Sequence, residues 1–493
     1  MKRYLALDLG AESGRAVLGS FDGGTVGIEE IHRFPNEPVR VTGEMHWDVL
    51  RLWHEIQRGI RATASAGVTE LDGIGLDTWG VDFGLFGEGG TLLGNPYYYR
   101  DARTDGVMDR VFAKVPTDEL YAATGIQFMQ INSLFQLFAV LERTPKLLDI
   151  TETLLMMPDL FNYWLTGVMK TEFSIATTTQ MYNPVAGDWA RSMVSRLGLP
   201  KRILCDIVQP GDVLGPLKPE LLCGLRGATV IAPAGHDTGS AVAAINMTPS
   251  TAYISSGTWS LMGAEVPSPV ISDEARRLNF TNEGGVGGTI RLLKNIMGMW
   301  LLQGCRKQWS AEGRDFDYAT LVGLARKQPV LRSIVDPDHP SFLHPADMTA
   351  AICDFCAATD QPAPREPAEF VQAILESLAL KYRYVIDCLE RITGQVYSDI
   401  RVVGGGARNV TLNQFTADAS GCRVTAGPVE ATALGNIAMQ MVGTGAVPSI
   451  REARLMIDRS FPTEVFEAGD RTRWDDAYAR MKQMIGAAAE CAT

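Results

Sequence analysis

At 493 residues, with 46% hydrophobic and 21% charged side chains, the chain exceeds the size at which one core keeps growing and has a globular composition. Its 45 basic and 57 acidic residues leave a formal charge of −12, which argues against nucleic acid as a partner but not against a polyphosphate held by local backbone donors. Eight cysteines spread from Cys205 to Cys491 make no disulfide framework, the first residues have no signal-peptide architecture, and no stretch approaches about 18 uncharged apolar residues; a cytoplasmic protein without a membrane span is expected.

The chain opens on an apolar strand over 3–9 that runs into Asp8-Leu9-Gly10-Ala11-Glu12-Ser13-Gly14-Arg15. Strands at 16–21 and 26–34 follow, joined as a hairpin by Asp22-Gly23-Gly24. Leu50, Trp53, Ile56 and Ile60 predict a helix over 47–66, and 71–77 reads as a short buried strand. Helices are predicted at 130–143 and 155–166, the second stopped by Gly167. Another strand covers 228–233, and Asp237 stands where a helix through 241–244 begins. Asn246-Met247-Thr248-Pro249-Ser250 is the predicted crossing between domains.

After the crossing, strand 251–256 ends in Ser255-Ser256-Gly257-Thr258, formally similar to the opening strand and turn. A helix is predicted over 291–308, with Leu292, Ile296, Met299, Trp300 and Leu301 on its apolar side. The stretch 330–368 is proline-rich and polar, with a short helix near 347–358 that makes Cys353 and Cys356 structural. A long helix at 367–391 leads to strand 399–403 and the turn Gly404-Gly405-Gly406. Helix 409–419, strand 422–425 and helix 430–441 complete the unit. The tail, 474–489, is an amphipathic helix with Trp474, Ala477, Met481 and Met484 on one side, expected to pack on the body. The expected division is 1–246, 247–450 and a C-terminal extension 451–493.

Two glycine turns, each closing a strand in a different half of the chain, suggest a nucleotide held between two domains, because missing side chains let backbone N–H groups approach phosphate. Neither is a P-loop or a dinucleotide fingerprint. Arg15 is the only long cation in the first turn and can offer a charged fork to phosphate. Asp8 ends a buried strand, where a carboxylate can face Mg²⁺. Asp237 lies in the first turn of a helix, which favours its ionised form. Trp79 offers an apolar wall, Gly80 close backbone approach, and Asp82 a hydrogen-bond acceptor. Arg100, Asp101 and Arg103 alternate in charge.

These segments resemble the FGGY carbohydrate kinases, members of the sugar kinase, Hsp70 and actin superfamily, along essentially the whole chain. The likeness rests on Ile31-His32-Arg33-Phe34, Gly75-Leu76-Asp77-Thr78-Trp79-Gly80-Val81-Asp82-Phe83, Tyr99-Arg100-Asp101-Ala102-Arg103-Thr104, Gly235-His236-Asp237-Thr238 and Ser255-Ser256-Gly257-Thr258-Trp259-Ser260-Leu261. It continues in Thr281-Asn282-Glu283-Gly284-Gly285, Lys294-Asn295-Ile296-Met297-Gly298 and Gly427-Pro428-Val429-Glu430-Ala431-Thr432.

The resemblance implies an α/β protein of two ribonuclease-H-like domains flanking a catalytic cleft, sugar bound mainly by the first and ATP by the second. It implies phosphorylation of L-rhamnulose at the 1-hydroxyl with ATP and Mg²⁺, the alternatives being L-fuculose, xylulose, ribulose or glycerol. Asp237 would be the base; Trp79, Gly80, Asp82, Arg100, His236, Thr238 and Asn295 would line the sugar site. The nucleotide would meet Ala11, Glu12, Ser13, Gly14 and Arg15 at its terminal phosphates, with the Glu12 side chain turned away. Gly257, Thr258, Gln303, residues 404–406 (Gly404, Gly405, Gly406) and Asn409 would hold the rest, and Asp8 and Asp237 the metal. A monomer or weak homo-oligomer is expected. A chaperone-like or actin-like ATPase would need a substrate-binding extension or polymerising surface, and none is visible in the sequence. A non-catalytic sugar-binding protein would not need Asp8 and Asp237.

Overall fold

The computed structural model describes residues 1–325, 330–343 and 345–490. Two packing units emerge, neither contiguous in sequence: Met1–Asn246 with Glu265–Leu292 and Glu430–Phe461, and Met247–Ala264 with Leu293–Val429 and Pro462–Thr493.

The first unit is built on six strands in the order Val213–Pro216, Thr229–Ile231, Gly73–Thr78, Lys2–Leu9, Ser13–Phe21, Val26–Pro35. Lys2–Leu9 pairs antiparallel with Ser13–Phe21 and parallel with Gly73–Thr78. Leu5, Leu7 and Leu9 share one buried cluster with Leu52, Ile56 and Ile60 of helix Val49–Ser65. That helix needs Gly59, because a Cβ there would stand 2.7 Å from the Ala16 Cβ. The opposite face receives helix Ala431–Gly443. Gly73 and Gly75 make room for it: an added Cβ would lie 2.9 Å from Gln440 Oε1 at Gly73 and 2.3 Å from Asn436 Oδ1 at Gly75.

The second unit repeats the same kernel. Thr251–Ser256 pairs antiparallel with Ser260–Val266 and parallel with Asp399–Val403, which continues to Arg423–Ala426 and Glu464–Phe466. A tight hairpin followed by a parallel partner reached through a long crossover thus occurs twice. The tail helix Thr472–Glu490 buries Trp474, Ala477 and Met481 and packs beside helix Pro367–Thr393. There Tyr478 Oη donates to Asp387 Oδ2 at 2.5 Å. Among the described residues no helix is long and apolar enough to cross a membrane.

Two expected helices change. Residues 291–308 divide into strand Ile290–Ile296, beside Ser260–Val266, and helix Trp300–Ala311. Gly298 separates them, so close to Ser260 that a Cβ would meet its Oγ at 2.5 Å. A short apolar run is compatible with either state, and the neighbouring strand decides it. Similarly, 155–166 begins as strand Thr153–Met156, pairing with Phe83–Gly87, before Pro158 opens helix Met157–Thr166. Cys353 and Cys356 are free thiols on helix Met348–Ala358. Cys491 lies outside the described residues.

Candidate active site

Register creates the acidic centre of the first unit. Asp8 faces Arg15 across the hairpin and Asp77 across the parallel pair, so the three side chains form one row on the same sheet face. Arg15 Nε and Nη2 donate to Asp8 Oδ2 at 2.9 and 2.7 Å, and its Nη1 pairs with Glu430. Burial works against the Arg15 charge, but Asp8 and Glu430 outweigh it and raise the guanidinium pKa. Asp77 is fully buried and takes a 2.5 Å hydrogen bond from Asn436 Nδ2, while its Oδ1 has no hydrogen-bond partner among the described residues. Burial first, then Asp8, with Asp237 also contributing, holds its carboxyl well above the usual range.

Asp237 opens helix Asp237–Ala243, and its Oδ1 accepts from Thr238 Oγ1 at 3.1 Å. A depressed pKa was expected from the helix terminus, but the structure raises it. Burial pushes the carboxyl up, His236 counters this in part, and Asp8 adds to the rise. Desolvation and a facing carboxylate outweigh the few dipoles of a helix of seven residues.

The loop before Asp237 is held from behind. Thr78 N donates to Gly235 O at 2.9 Å, and Gly235 N donates to Glu172 Oε2 at 2.8 Å. His236 N donates to Ser174 Oγ at 3.2 Å, and that hydroxyl in turn donates to Glu172. A Cβ on Gly80 would stand 3.3 Å from His236 Nε2, so glycine keeps the chain against the imidazole. On its other side His236 Nδ1 lies 3.1 Å from Glu283 Oε2 and 3.2 Å from Arg291 Nη2. Burial raises the pKa of Glu283, but the His236 contact and Arg291 reverse it and leave it lowered.

Trp79 packs on Trp47 with ring centroids 4.2 Å apart. Both indoles donate to Asp82 Oδ2, at 2.9 Å from Trp79 and 2.6 Å from Trp47, while Gln136 Nε2 donates to Oδ1 at 2.8 Å. Asp82 is thus engaged by three donors from within the fold, and Arg103 Nη2 braces Gln136 Oε1 at 2.7 Å. Arg103 is buried over the Tyr97 ring, Asp101 caps the turn after it in the chain, and Arg100 is half-buried by Tyr99.

Burial pushes Asp82 up to about 6 against the hydrogen bonds of Trp47, Gln136 and Trp79. Because the folded state holds this proton more tightly than the unfolded chain, its contribution to stability is complete at low pH and disappears as pH rises from about 4 to about 6. Unfolding free energies from urea titration should therefore fall over that window by ~3 kcal/mol at most. In Asp82→Asn that component of the pH slope should vanish; an identical slope in both proteins would show that Asp82 titrates normally.

In the first turn Gly10 N donates to Ser13 O at 3.0 Å, and Asn36 fastens both Gly10 O and Glu12 O. Ala11 and Ser13 are half-buried and Glu12 is exposed. Gly14 is required by packing: a Cβ would lie 2.2 Å from the Phe34 ring.

In the second unit the turn at Gly257 is closed by Gly257 N donating to Trp259 O at 2.8 Å. Met299 N and Trp300 N donate to Gly257 O and Thr258 O at 3.3 and 3.1 Å, and Gln303 Nε2 donates to Thr258 Oγ1 at 3.2 Å. Thr258 and Gln303 therefore meet, while Asn295 lies on strand Ile290–Ile296 rather than on the helix predicted over 291–308. Met297 N is fixed by Asp338 Oδ1 at 2.9 Å, and Asp336 and Asp338 both pair with buried Lys381, at 2.7 and 3.0 Å. Gly404 has φ 80°, and a Cβ on Gly406 would stand 2.0 Å from Ser256 Oγ, so this turn lies directly on the end of Thr251–Ser256. Gly405 faces open space. Asn409 caps helix Val410–Ser420 through Leu412 N and donates to Tyr318 Oη at 2.7 Å.

Residues 3–244 match the N-terminal domain, and 252–444 the C-terminal domain, of the FGGY family of carbohydrate kinases. The chain is 44% identical to a rhamnulokinase of Bacteroides thetaiotaomicron, covering 98% of this chain and 99% of that one. It is 40% identical to a rhamnulokinase of Oceanobacillus iheyensis, covering 93% and 96%. Among solved structures, ligand-bound xylulose kinase from Lactobacillus acidophilus is similar in fold, with TM-score 0.82 at 15% identity and 99% of each chain covered. Plasmodium falciparum glycerol kinase with ADP gives TM-score 0.79 at 15% identity, covering 99% and 98%. The chain belongs to the FGGY family of carbohydrate kinases and is an ATP-dependent sugar kinase.

Proposed function

We propose that the chain transfers the γ-phosphoryl group of ATP to the 1-hydroxyl of L-rhamnulose, giving L-rhamnulose 1-phosphate and ADP. One observation carries the choice of acceptor: 44% identity to a rhamnulokinase runs over 98% of the chain. Asp237 orients the hydroxyl and takes its proton late in transfer. Trp79, held by Asp82, faces the methyl edge of the sugar, while Gly80, Arg100, His236, Thr238 and Asn295 serve its oxygens. Residues 11–15 address the terminal phosphates, with exposed Glu12 turned outward. Gly257 and Thr258 contact phosphate, Gln303 the adenosine, residues 404–406 the α-phosphate and ribose, and Asn409 the adenine edge.

Asp8 and Asp237 suit Mg²⁺ by their hard oxygens, and Asp8 already raises the pKa of Asp237, as two carboxylates awaiting a cation do. Two carboxylates would leave the remaining positions of such an ion to water and phosphate. When bound, the ion would neutralise charge on the β- and γ-phosphate oxygens. Free thiols at all seven described cysteines support a reducing, cytoplasmic setting.

The test is ADP release over L-rhamnulose, L-fuculose, L- and D-xylulose, L-ribulose and glycerol, with phosphorus NMR locating the phosphate. L-Rhamnulose should have the highest kcat/KM. One methyl in an apolar pocket is worth about 1–3 kcal/mol, so related ketoses should be accepted weakly. A higher value for any other member would overturn the acceptor and leave the sugar kinase intact.

A further inference from the structure

Helix Pro367–Thr393 carries a charge in its buried middle. Lys381 is 2% exposed, and its Nζ reaches Asp336 Oδ1 at 2.7 Å and Asp338 Oδ2 at 3.0 Å. Burial works against the ammonium, but Asp338 and Asp336 outweigh it and raise its pKa, so the charge is kept. The two acids belong to a segment that lies along this helix. Val335 N donates to Ser377 Oγ at 2.9 Å, one turn before Lys381, and Asp338 N donates to Asp336 Oδ1 at 3.2 Å. A buried ion pair is weak evidence for stability, because taking two charges out of water costs about as much as their attraction returns. What this one fixes is geometry.

Asp338 gives one oxygen to the lysine and the other to backbone: Oδ1 accepts from Met297 N at 2.9 Å. Met297 opens the three-residue connection, 297–299, between strand Ile290–Ile296 and helix Trp300–Ala311. At its far end Met299 N and Trp300 N donate to Gly257 O and Thr258 O at 3.3 and 3.1 Å, and Gln303 Nε2 donates to Thr258 Oγ1 at 3.2 Å. The middle is held from the same long helix. Tyr382, next to Lys381, shares a 2.7 Å hydrogen bond with Ser260 Oγ, and a Cβ on Gly298 would stand 2.5 Å from that oxygen. Trp300 Nε1 donates to Phe342 O at 3.0 Å, which ties the helix start to the segment of Asp338 as well. The connection thus begins at the Lys381–Asp338 pair and ends at the turn of Gly257 and Thr258. An N–H bound to an ionised carboxylate is held more strongly than one bound to a carbonyl, and Met297 is where the connection has it.

We propose that Asp338 is a positioning residue for the nucleotide, with Lys381 as the buried cation that aims its carboxylate. Asp338 fixes Met297, and through it Met299 and Trp300, and through them the carbonyls of Gly257 and Thr258. The turn then meets phosphate without first having to be ordered, which is where preorganisation gains affinity. Asp338 acts through the turn and not by contact with nucleotide. This rests on the reading above that Gly257 and Thr258 contact phosphate; the choice of acceptor sugar does not enter.

Calorimetry of β,γ-imido-ATP with Mg²⁺ on the full chain tests this, with circular dichroism to establish that each variant is folded. Thr258→Ala should weaken binding by about 10-fold, the scale of one hydrogen bond to a charged group. Wild-type affinity there would overturn the phosphate reading of the turn, and the proposal with it. Asp338→Ala should also lose about 10-fold, while KM for the preferred ketose stays within about 2-fold of wild type. If Thr258→Ala binds weakly and folded Asp338→Ala binds as wild type, the proposal alone falls; a lowered Tm with unchanged affinity would leave Asp338 a structural residue only. In Thr258→Ala/Asp338→Ala the combined loss should lie well below the product of the single losses, because both act on one contact. A full product of about 100-fold would show that Asp338 acts elsewhere and overturn its role at the turn. Lys381→Gln keeps a donor and lacks the charge, and should weaken nucleotide binding by a smaller factor. Wild-type affinity in that variant would remove Lys381 from the role.

Discussion

Asp237→Asn is expected to lower kcat by roughly 10²–10⁴ while leaving ATP affinity close to wild type. Asparagine keeps the shape and can still accept from Thr238 Oγ1, so the helix start and the His236 loop should persist. What disappears is the carboxylate that can hold the attacking hydroxyl and receive its proton. The pH profile adds a second signature. Burial and Asp8 raise the Asp237 pKa despite His236, and the base acts only when ionised. In wild type kcat/KM should therefore fall as pH drops through that raised value, a limb lying above that of an exposed aspartate and missing from the variant. Steady-state kinetics across pH with both proteins decides the matter. A variant retaining more than half of wild-type kcat would reduce Asp237 to a helix-end residue.

The fold was legible wherever one segment carried its own signal. The strands 3–9 and 251–256, each closing into a short turn, read directly as the start of each unit because glycine punctuates an apolar run. The stretch 291–308 did not, because Leu292, Leu293 and Ile296 suit a strand or a helix, and only the neighbouring Ser260–Val266 strand selects the first. Gly14 belonged to a phosphate turn by its position, yet its missing Cβ is demanded by the Phe34 ring.

Within the candidate site, Asp8, Asp237 and Thr258 could be named from motifs and Gln303 from the resemblance alone, but their supports could not. Asp77 was visible as the end of a strand, while its acidic environment follows from register with Asp8 and from Asn436, 359 residues away. Glu283 lay within a recognised block, and nothing local tied it to His236. Glu172, Arg291, Lys381 and Gln136 are single polar residues in apolar or mixed segments. Their importance comes from burial beside a partner distant in sequence, which no local period encodes.

Asp8→Asn is expected to reduce turnover at a fixed Mg²⁺ concentration by roughly 10²–10³, the scale of losing one preorganised electrostatic group. It should also raise the Mg²⁺ concentration needed for half-maximal rate. The argument follows from how Asp8 is loaded. Its Oδ2 already accepts two hydrogen bonds from Arg15, whose third nitrogen pairs with Glu430, so this clamp fixes the carboxylate without consuming its other oxygen. Asparagine can keep one oxygen toward Arg15 and so preserves the hairpin, but it presents no anionic oxygen to a hard cation. The neighbouring acids cannot substitute freely. Asp77 is buried with its carboxyl held well above the ordinary range, and Asp237 is engaged beside His236. Removing the Asp8 charge should also relax the upward push on Asp237, so the acid limb of the pH profile should move to lower pH in the variant. Mg²⁺ titrations and pH profiles of Asp8→Asn, with circular dichroism to establish that the sheet is intact, measure both effects. Wild-type Mg²⁺ dependence in a folded Asp8→Asn protein would remove Asp8 from the metal site and leave it as the anchor of Arg15.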